Sequence, residues 1–431
     1  MPFSTTRSTG ARLRRTARIA AVATASAALA VTGLSASSAS AADGPVKSGS
    51  FPVALGVYEV VTNPYTGKSY VASGGTRTNT ATARIQEVDT KTGQVTGFIE
   101  SSDTAPYALA INPVTNTLYT GNTRKNSVSV YDLDTNTEVT TIELGVQNRQ
   151  LEVDTVNNKV YVTEINNQRV AVIDGATNTL EGTFGVGPGA NAMDVEYDPA
   201  TKNFYVVHLA GDVTVIDGRT KKIKKVIALP STSQNISVDP KTGLGFVTGY
   251  STGSVSVIDT KKLSLVKTVD AGNNNGGLGI DLDEGNHTAY FTNQGDGTLW
   301  AIDTATGDLK WSLPVGPRAN TPAVDTLYDQ VFVTNKGDDT VAIVKPAASA
   351  ADDRSTAARV LAALRPYAKA DTDLHKALKD LERALSRGNW TTAGDLVASR
   401  EGVRYLARAV SELRAADAPA PAAILEEIAG L

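Results

Sequence analysis

The chain has 431 residues, with 41 basic against 45 acidic side chains, 41% hydrophobic residues, three histidines and no cysteine. That composition fits a globular protein with ample core, and it excludes disulfides, cysteine-ligated metals, iron–sulfur clusters and thiol nucleophiles. His208, His287 and His375 are too few for a multi-histidine metal centre.

The N-terminus carries Arg7, Arg12, Arg14, Arg15 and Arg18 without an acidic residue, then an apolar run from Ile19 to Leu34, then Ala39-Ser40-Ala41. This pattern predicts a secretory signal peptide over residues 1–41. Arg14-Arg15 lacks the apolar pair usual in twin-arginine signals, so the general route is expected. Cleavage removes five positive charges and leaves 36 basic against 45 acidic groups, about −9. A nucleic-acid partner is not expected from that balance. No later segment is apolar over a spanning length, so the expected localisation is secreted or extracytoplasmic, with cell-surface association.

Residues 42–346 repeat. Strands of the type V-x-V-I-D close at Asp89, Asp132, Asp174, Asp217, Asp259, Asp303 and Lys345, at intervals of 42 to 44 residues. A turn marker recurs at Asn63, Asn112, Asp154, Asp198, Asp239, Asp283 and Asp325, and the first unit carries an insertion around residues 74–82. Alternating β-branched stretches such as Val128-Ser129-Val130, separated by Asn, Asp, Gly and Thr turns, predict four short strands per unit. Seven such units predict an all-β seven-bladed β-propeller. The seventh unit supplies three strands before Pro346. Residues 46–55 resemble the outer strand of the other units and are expected to complete it, closing the ring.

Tyr161-Val162-Thr163, Phe246-Val247-Thr248, Tyr290-Phe291-Thr292-Asn293 and Phe332-Val333-Thr334-Asn335 each precede a V-x-V-I-D-like strand. With these motifs the repeat region resembles the YVTN-repeat β-propeller family. The resemblance implies a secreted, surface-layer-like or adhesion-like binding scaffold; that family also has lactonase and lyase relatives. Fold alone does not choose between them.

Beyond an Ala-rich linker (347–353), Leu374, Leu378, Leu381 and Leu385 recur at helical spacing, as do Val403, Leu406, Val410 and Leu413. A small all-α helical module is therefore expected over 354–431. His375 reads as a solvated residue beside that stripe, and Trp390 as an anchor at a helix junction.

Propellers bind at the mouth of the central channel. The residue closing each Y-V-T-N tetrad is Ser73, Asn122, Glu164, His208, Gly249, Asn293 or Asn335, and the fifth residue before each turn marker is Tyr58, Tyr107, Arg149, Met193, Gln234, Leu278 or Asn320. Tyr58, Tyr107, Asn122, Asn293, Asn320 and Asn335 are the expected ligand-binding residues. Glu164, His208 and Arg149 depart from the repeat and are the catalytic candidates, a set able to perform acid–base chemistry. Against that stands an Arg149–Glu164 ion pair with a bystander histidine. The expected function is a binding scaffold for a protein, glycan or cell-wall ligand, without cofactor or metal. The alternative is a channel-mouth lactonase- or lyase-like enzyme. The basic run Arg219–Lys225 is expected to discourage edge pairing, or otherwise to meet a polyanion.

Overall fold

The computed structural model describes residues 45–345 apart from 64–65, 102, 188–190, 271–275 and 327. The expected signal peptide (1–41), linker (347–353) and helical module (354–431) lie outside the described residues.

Seven four-stranded antiparallel sheets form the blades of a propeller. Their inner strands are Val57–Asn63, Ala108–Asn112, Asn148–Asp154, Ala192–Asp198, Ser233–Asp239, Gly277–Asp283 and Ala319–Asp325, and we number the blades one to seven in that order. Blade seven is completed by Val46–Pro52, which pairs antiparallel with Thr340–Lys345, Val46 opposite Lys345 and Phe51 opposite Val341. The strand expected to close the ring thus lies at the outer edge of the last blade.

The two sequence markers are turn caps. Asp132, Asp174, Asp259 and Asp303 each turn Oδ1 back onto two backbone N–H groups two and three residues on. Asn112, Asp154, Asp239 and Asp283 do the same where the inner strand turns into the second, at the same end of the blade. Asparagine and aspartate suit this because a short acceptor reaches its own backbone. Asn136 and Asn178 occupy the left-handed region that these hairpins require (φ 54° and 53°), which asparagine tolerates better than most residues.

The apolar core lies between blades. Tyr205, Val207 and Val215 of blade four meet Ile236, Val238 and Val247 of blade five in one buried cluster. The threonine of the Y-V-T-N tetrad joins the seams as well: its hydroxyl donates to a carbonyl of the next inner strand, from Thr248 to Leu278 (2.8 Å), from Thr292 to Asn320, and from Thr334 to Tyr58 (3.0 Å). Outer strands are exposed, as in Thr179–Gly185 and Ile223–Ala228.

Candidate functional site: the central channel and its mouth

Six of the seven inner strands shift register against the second strand near their start, for example between Val57 and Val60 and between Asn148 and Leu151. An irregularity of this kind re-aims side chains. It falls at the two positions that follow one another at the head of each strand: Tyr58 then Glu59, Arg149 then Gln150, Met193 then Asp194.

At the mouth, Tyr58 is the hub. Its ring meets the Tyr107 ring edge-on (centroids 5.1 Å apart, 79° between planes). The Lys336 ammonium sits 4.0 Å from the Tyr58 centroid and the Arg149 guanidinium 5.5 Å, while Arg124 lies 4.9 Å from the Tyr107 centroid. Blades seven, one and three therefore meet over the channel through π-faces and cations. Among the described residues, neither Arg149 nor Lys336 forms an ion pair with a carboxylate. Burial, then the charges of Arg149 and Arg318, holds Lys336 down to about 8, with Glu59 partly offsetting them.

Below this ring the chemistry changes sign. A cavity of about 280 Å³ is lined by the next positions of the inner strands, with Glu59, Asp194, Glu152, Glu196 and Asp281 as its carboxylates; none of the Tyr58-level residues lines it. Four of the five accept a backbone N–H from the following blade: Glu59 from Leu109 (2.8 Å), Asp194 from Ile236 (3.0 Å), Glu196 from Val238 (3.4 Å) and Asp281 from Val324 (2.7 Å). Burial raises Glu59 and Asp194 to about 7 and Asp281 to about 6. Glu152 and Glu196 are raised too, by burial first and then by repulsion from neighbouring carboxylates. A carboxyl that keeps one oxygen as acceptor and the other protonated suits such a channel.

The candidates from the sequence divide by level. Tyr58, Tyr107 and Arg149 come together at the mouth. Asn320 is there too, but its amide donates to the Tyr58 carbonyl across the blade seven–one seam. Asn122, Asn293 and Asn335 are fully buried and hold the hairpins that follow them: Asn122 donates to Ser127 and Ser129, Asn293 accepts from the Gly295 backbone, and Asn335 donates to Thr340. Glu164 accepts from Asn167 within its own hairpin (3.2 Å). His208, with no exposed surface, places Nδ1 2.7 Å from Asp212 of the strand opposite. Among the described residues no hydrogen bond or ion pair joins Arg149, Glu164 and His208 to one another, and no group of three or more histidines and carboxylates is arranged to hold a metal.

The channel carboxylates and Lys336 were not singled out from sequence. Their signal lies in the alternation of each inner strand, one and three residues past the Tyr58 position, and for Lys336 in the residue just after the tetrad. Two lysines of the basic run are engaged within blade four, Lys221 lying 4.3 Å from the Phe204 centroid and Lys224 donating to Asn203, while Arg219, Lys222 and Lys225 are exposed.

No family model matches the chain. It is 23% identical over 299 residues to a protein of Salmonella typhimurium named "Uncharacterized protein YncE", covering 65% of this chain and 83% of that one. The protein of that name in Escherichia coli K12 is 26% identical over 235 residues, 51% of this chain and 66% of the other. Among solved structures, a chain of Kuenenia stuttgartiensis hydrazine synthase superposes with a TM-score of 0.60 at 16% identity, covering 70% of this chain and 99% of its own. That likeness is one of fold. Among the described residues, no helix is long and apolar enough to cross a membrane.

Proposed function

We propose that the chain is an exported binding propeller of the YVTN-repeat type, taking a protein, glycan or cell-wall ligand at the Tyr58 mouth. The observation that carries this reading is the meeting of Tyr58, Tyr107, Arg149 and Lys336 at one end of the channel, where the two cations lie against aromatic rings and form no ion pair among the described residues. Tyrosine and arginine are enriched at binding hot spots, tyrosine because it offers large amphipathic area at low entropic cost and arginine because its planar fork both stacks and hydrogen-bonds. The basic and apolar N-terminal segment supports export, and the helical spacing after residue 353 supports a separate module behind the propeller.

The enzymatic alternative needs Glu164 and His208 free to act on a substrate held by Arg149. Each is engaged in its own blade's hairpin, so the binding reading is preferred. An array of glycans, wall fragments and exported proteins, probed with the full chain and with Tyr58→Ala/Tyr107→Ala, tests it. Capture by the parent chain and its loss in the variant are expected. Turnover of a lactone that is abolished by Glu164→Gln or His208→Ala would overturn it.

A further inference from the structure

The mouth carries a chemical preference of its own. Three cations from three places in the fold gather there: Lys336 of the blade seven hairpin and Arg149 at the head of the blade three inner strand lie 4.0 and 5.5 Å from the Tyr58 ring centroid, and the Lys336 backbone N–H donates to the carbonyl of Arg318, just before the blade seven inner strand (3.1 Å). Like charges held together and partly desolvated raise each other's free energy unless a counter-charge intervenes. Within the fold the counter-charges that reach Arg149 are those of Glu59 and Asp194, from the level below and without an ion pair among the described residues. Glu59 is buried, turned onto the Leu109 backbone N–H and raised to about 7, so near neutrality it carries only part of a negative charge. The two acids in the hairpin of Lys336 itself are otherwise engaged. Asp338 accepts from the Thr340 hydroxyl (2.8 Å), and Asp339 accepts the backbone N–H groups of Gly56 (2.8 Å) and Val57 (3.0 Å).

Resting on the reading that ligand enters at this mouth, we propose that the group recognised is an anion, a carboxylate or phosphate, received between the Lys336 ammonium and the Arg149 guanidinium with Arg318 beside them. Lysine offers a point charge and arginine a planar fork, which together suit the oxygens of either anion. Tyr58 holds both cations in place from beneath.

The arrangement has a proton signature. The groups facing Lys336 are Arg149, Arg318, Glu59 and Tyr58, and the two arginines disfavour its charged form. A bound anion favours that form, so binding draws a proton onto Lys336. Affinity is therefore greatest below pH 8 and falls as pH rises through about 8, because the free lysine has by then lost the proton that the complex needs.

The test is calorimetric titration of the full chain, at matched ionic strength, with galacturonic acid, inorganic phosphate and neutral galactose, at pH 6.5, 7.5 and 9. At least one anion should bind ten-fold or more tighter than galactose. Whether it is galacturonate or phosphate tells whether the natural source is an acidic sugar or a phosphate ester. Arg149→Gln and Lys336→Gln should each weaken that anion ten-fold or more without moving the melting temperature by more than a few degrees. Lys336→Arg should keep the affinity and lose its decline between pH 7.5 and 9. Equal binding of all three probes, or indifference to both glutamine variants, would overturn the inference. If Tyr58→Ala/Tyr107→Ala abolishes capture on the array while neither anion binds the parent chain, the mouth remains the binding site and the anion inference alone falls.

Discussion

The two levels of the channel use charge in opposite ways. Below, carboxylates stand at intervals along the inner strands, and four of them are fastened to a backbone N–H of the following blade. Above, cations stand at the heads of strands and hairpins, fastened to no carboxylate among the described residues, with tyrosine faces under them. A charge with a backbone partner belongs to the ring, and a charge without one is free for a visitor. Buried polar groups are costly unless paired, so the unpaired ones mark the place where structure has been subordinated to binding.

The largest effect tests the premise that the ring is closed. Deleting residues 46–52 exposes the edge of Thr340–Lys345 and uncovers Val341 and Val344, both fully buried. A fall in melting temperature of at least ten degrees with aggregation on size-exclusion is expected, because an open edge is a template for further pairing. An unchanged midpoint would show that the outer strand is dispensable.

Next comes the lower level. Asp194→Ala strands the backbone N–H of Ile236 and removes the partner of Asn235. An orphaned buried donor costs about 1–3 kcal/mol, so denaturant unfolding should register that loss, and Asp194→Asn should recover part of it. Arg149→Gln removes a charge that has no ion pair among the described residues, and should cost clearly less stability than Asp194→Ala. Equal losses at both levels would erase the distinction between them.

pH sharpens the contrast. The channel carboxyls titrate higher in the fold, at about 6 to 7 for Asp281, Glu59 and Asp194, than near 4 in the unfolded chain. They bind protons more tightly when folded, so their stabilising share is complete below pH 4 and is lost progressively as pH rises from there through the folded values of about 6 to 7. The melting temperature should therefore be lower at pH 8.5 than at pH 5.5. Replacing Glu152 and Glu196 with glutamine should flatten that slope, and a slope of the opposite sign would count against the buried carboxyls.

The smallest effect concerns the hairpin residues. Glu164→Gln should change stability by less than about 1 kcal/mol, since its carboxylate accepts one long bond from Asn167 (3.2 Å). Ligand capture should be untouched.

The blade count and the turns were legible in the sequence because period and capping chemistry are local: Asp132 and Asp154 cap their own turns wherever the blade goes. The mouth was legible at Tyr58, Tyr107 and Arg149, since strand heads follow from the repeat. What the repeat could not convey is who meets whom across the ring, as Arg149 and Tyr58 do from blades three and one. Glu164 and His208 drew notice as departures from asparagine, yet their position is a hairpin cap, and an unusual residue there still serves the hairpin. The channel carboxylates escaped notice because neither of their positions carries a charge in every blade: Glu59 and Asp194 share theirs with Ala108, Gly279 and Thr321, and Glu152, Glu196 and Asp281 share theirs with Val61, Ala110, Ser237 and Ala323.

The seams carry a consequence for how such a ring grows. Thr248, Thr292 and Thr334 donate to a main-chain carbonyl of the next blade, and Glu59, Asp194 and Asp281 accept a main-chain N–H of it. In these bonds one blade brings the side chain and its neighbour offers backbone, which any amino acid supplies. A copied unit therefore finds a usable dock behind whatever precedes it, and the receiving face drifts freely without breaking the joint. These joints ask no particular side chain of the blade that receives them, and what a duplicated unit must still match is the apolar packing between blades.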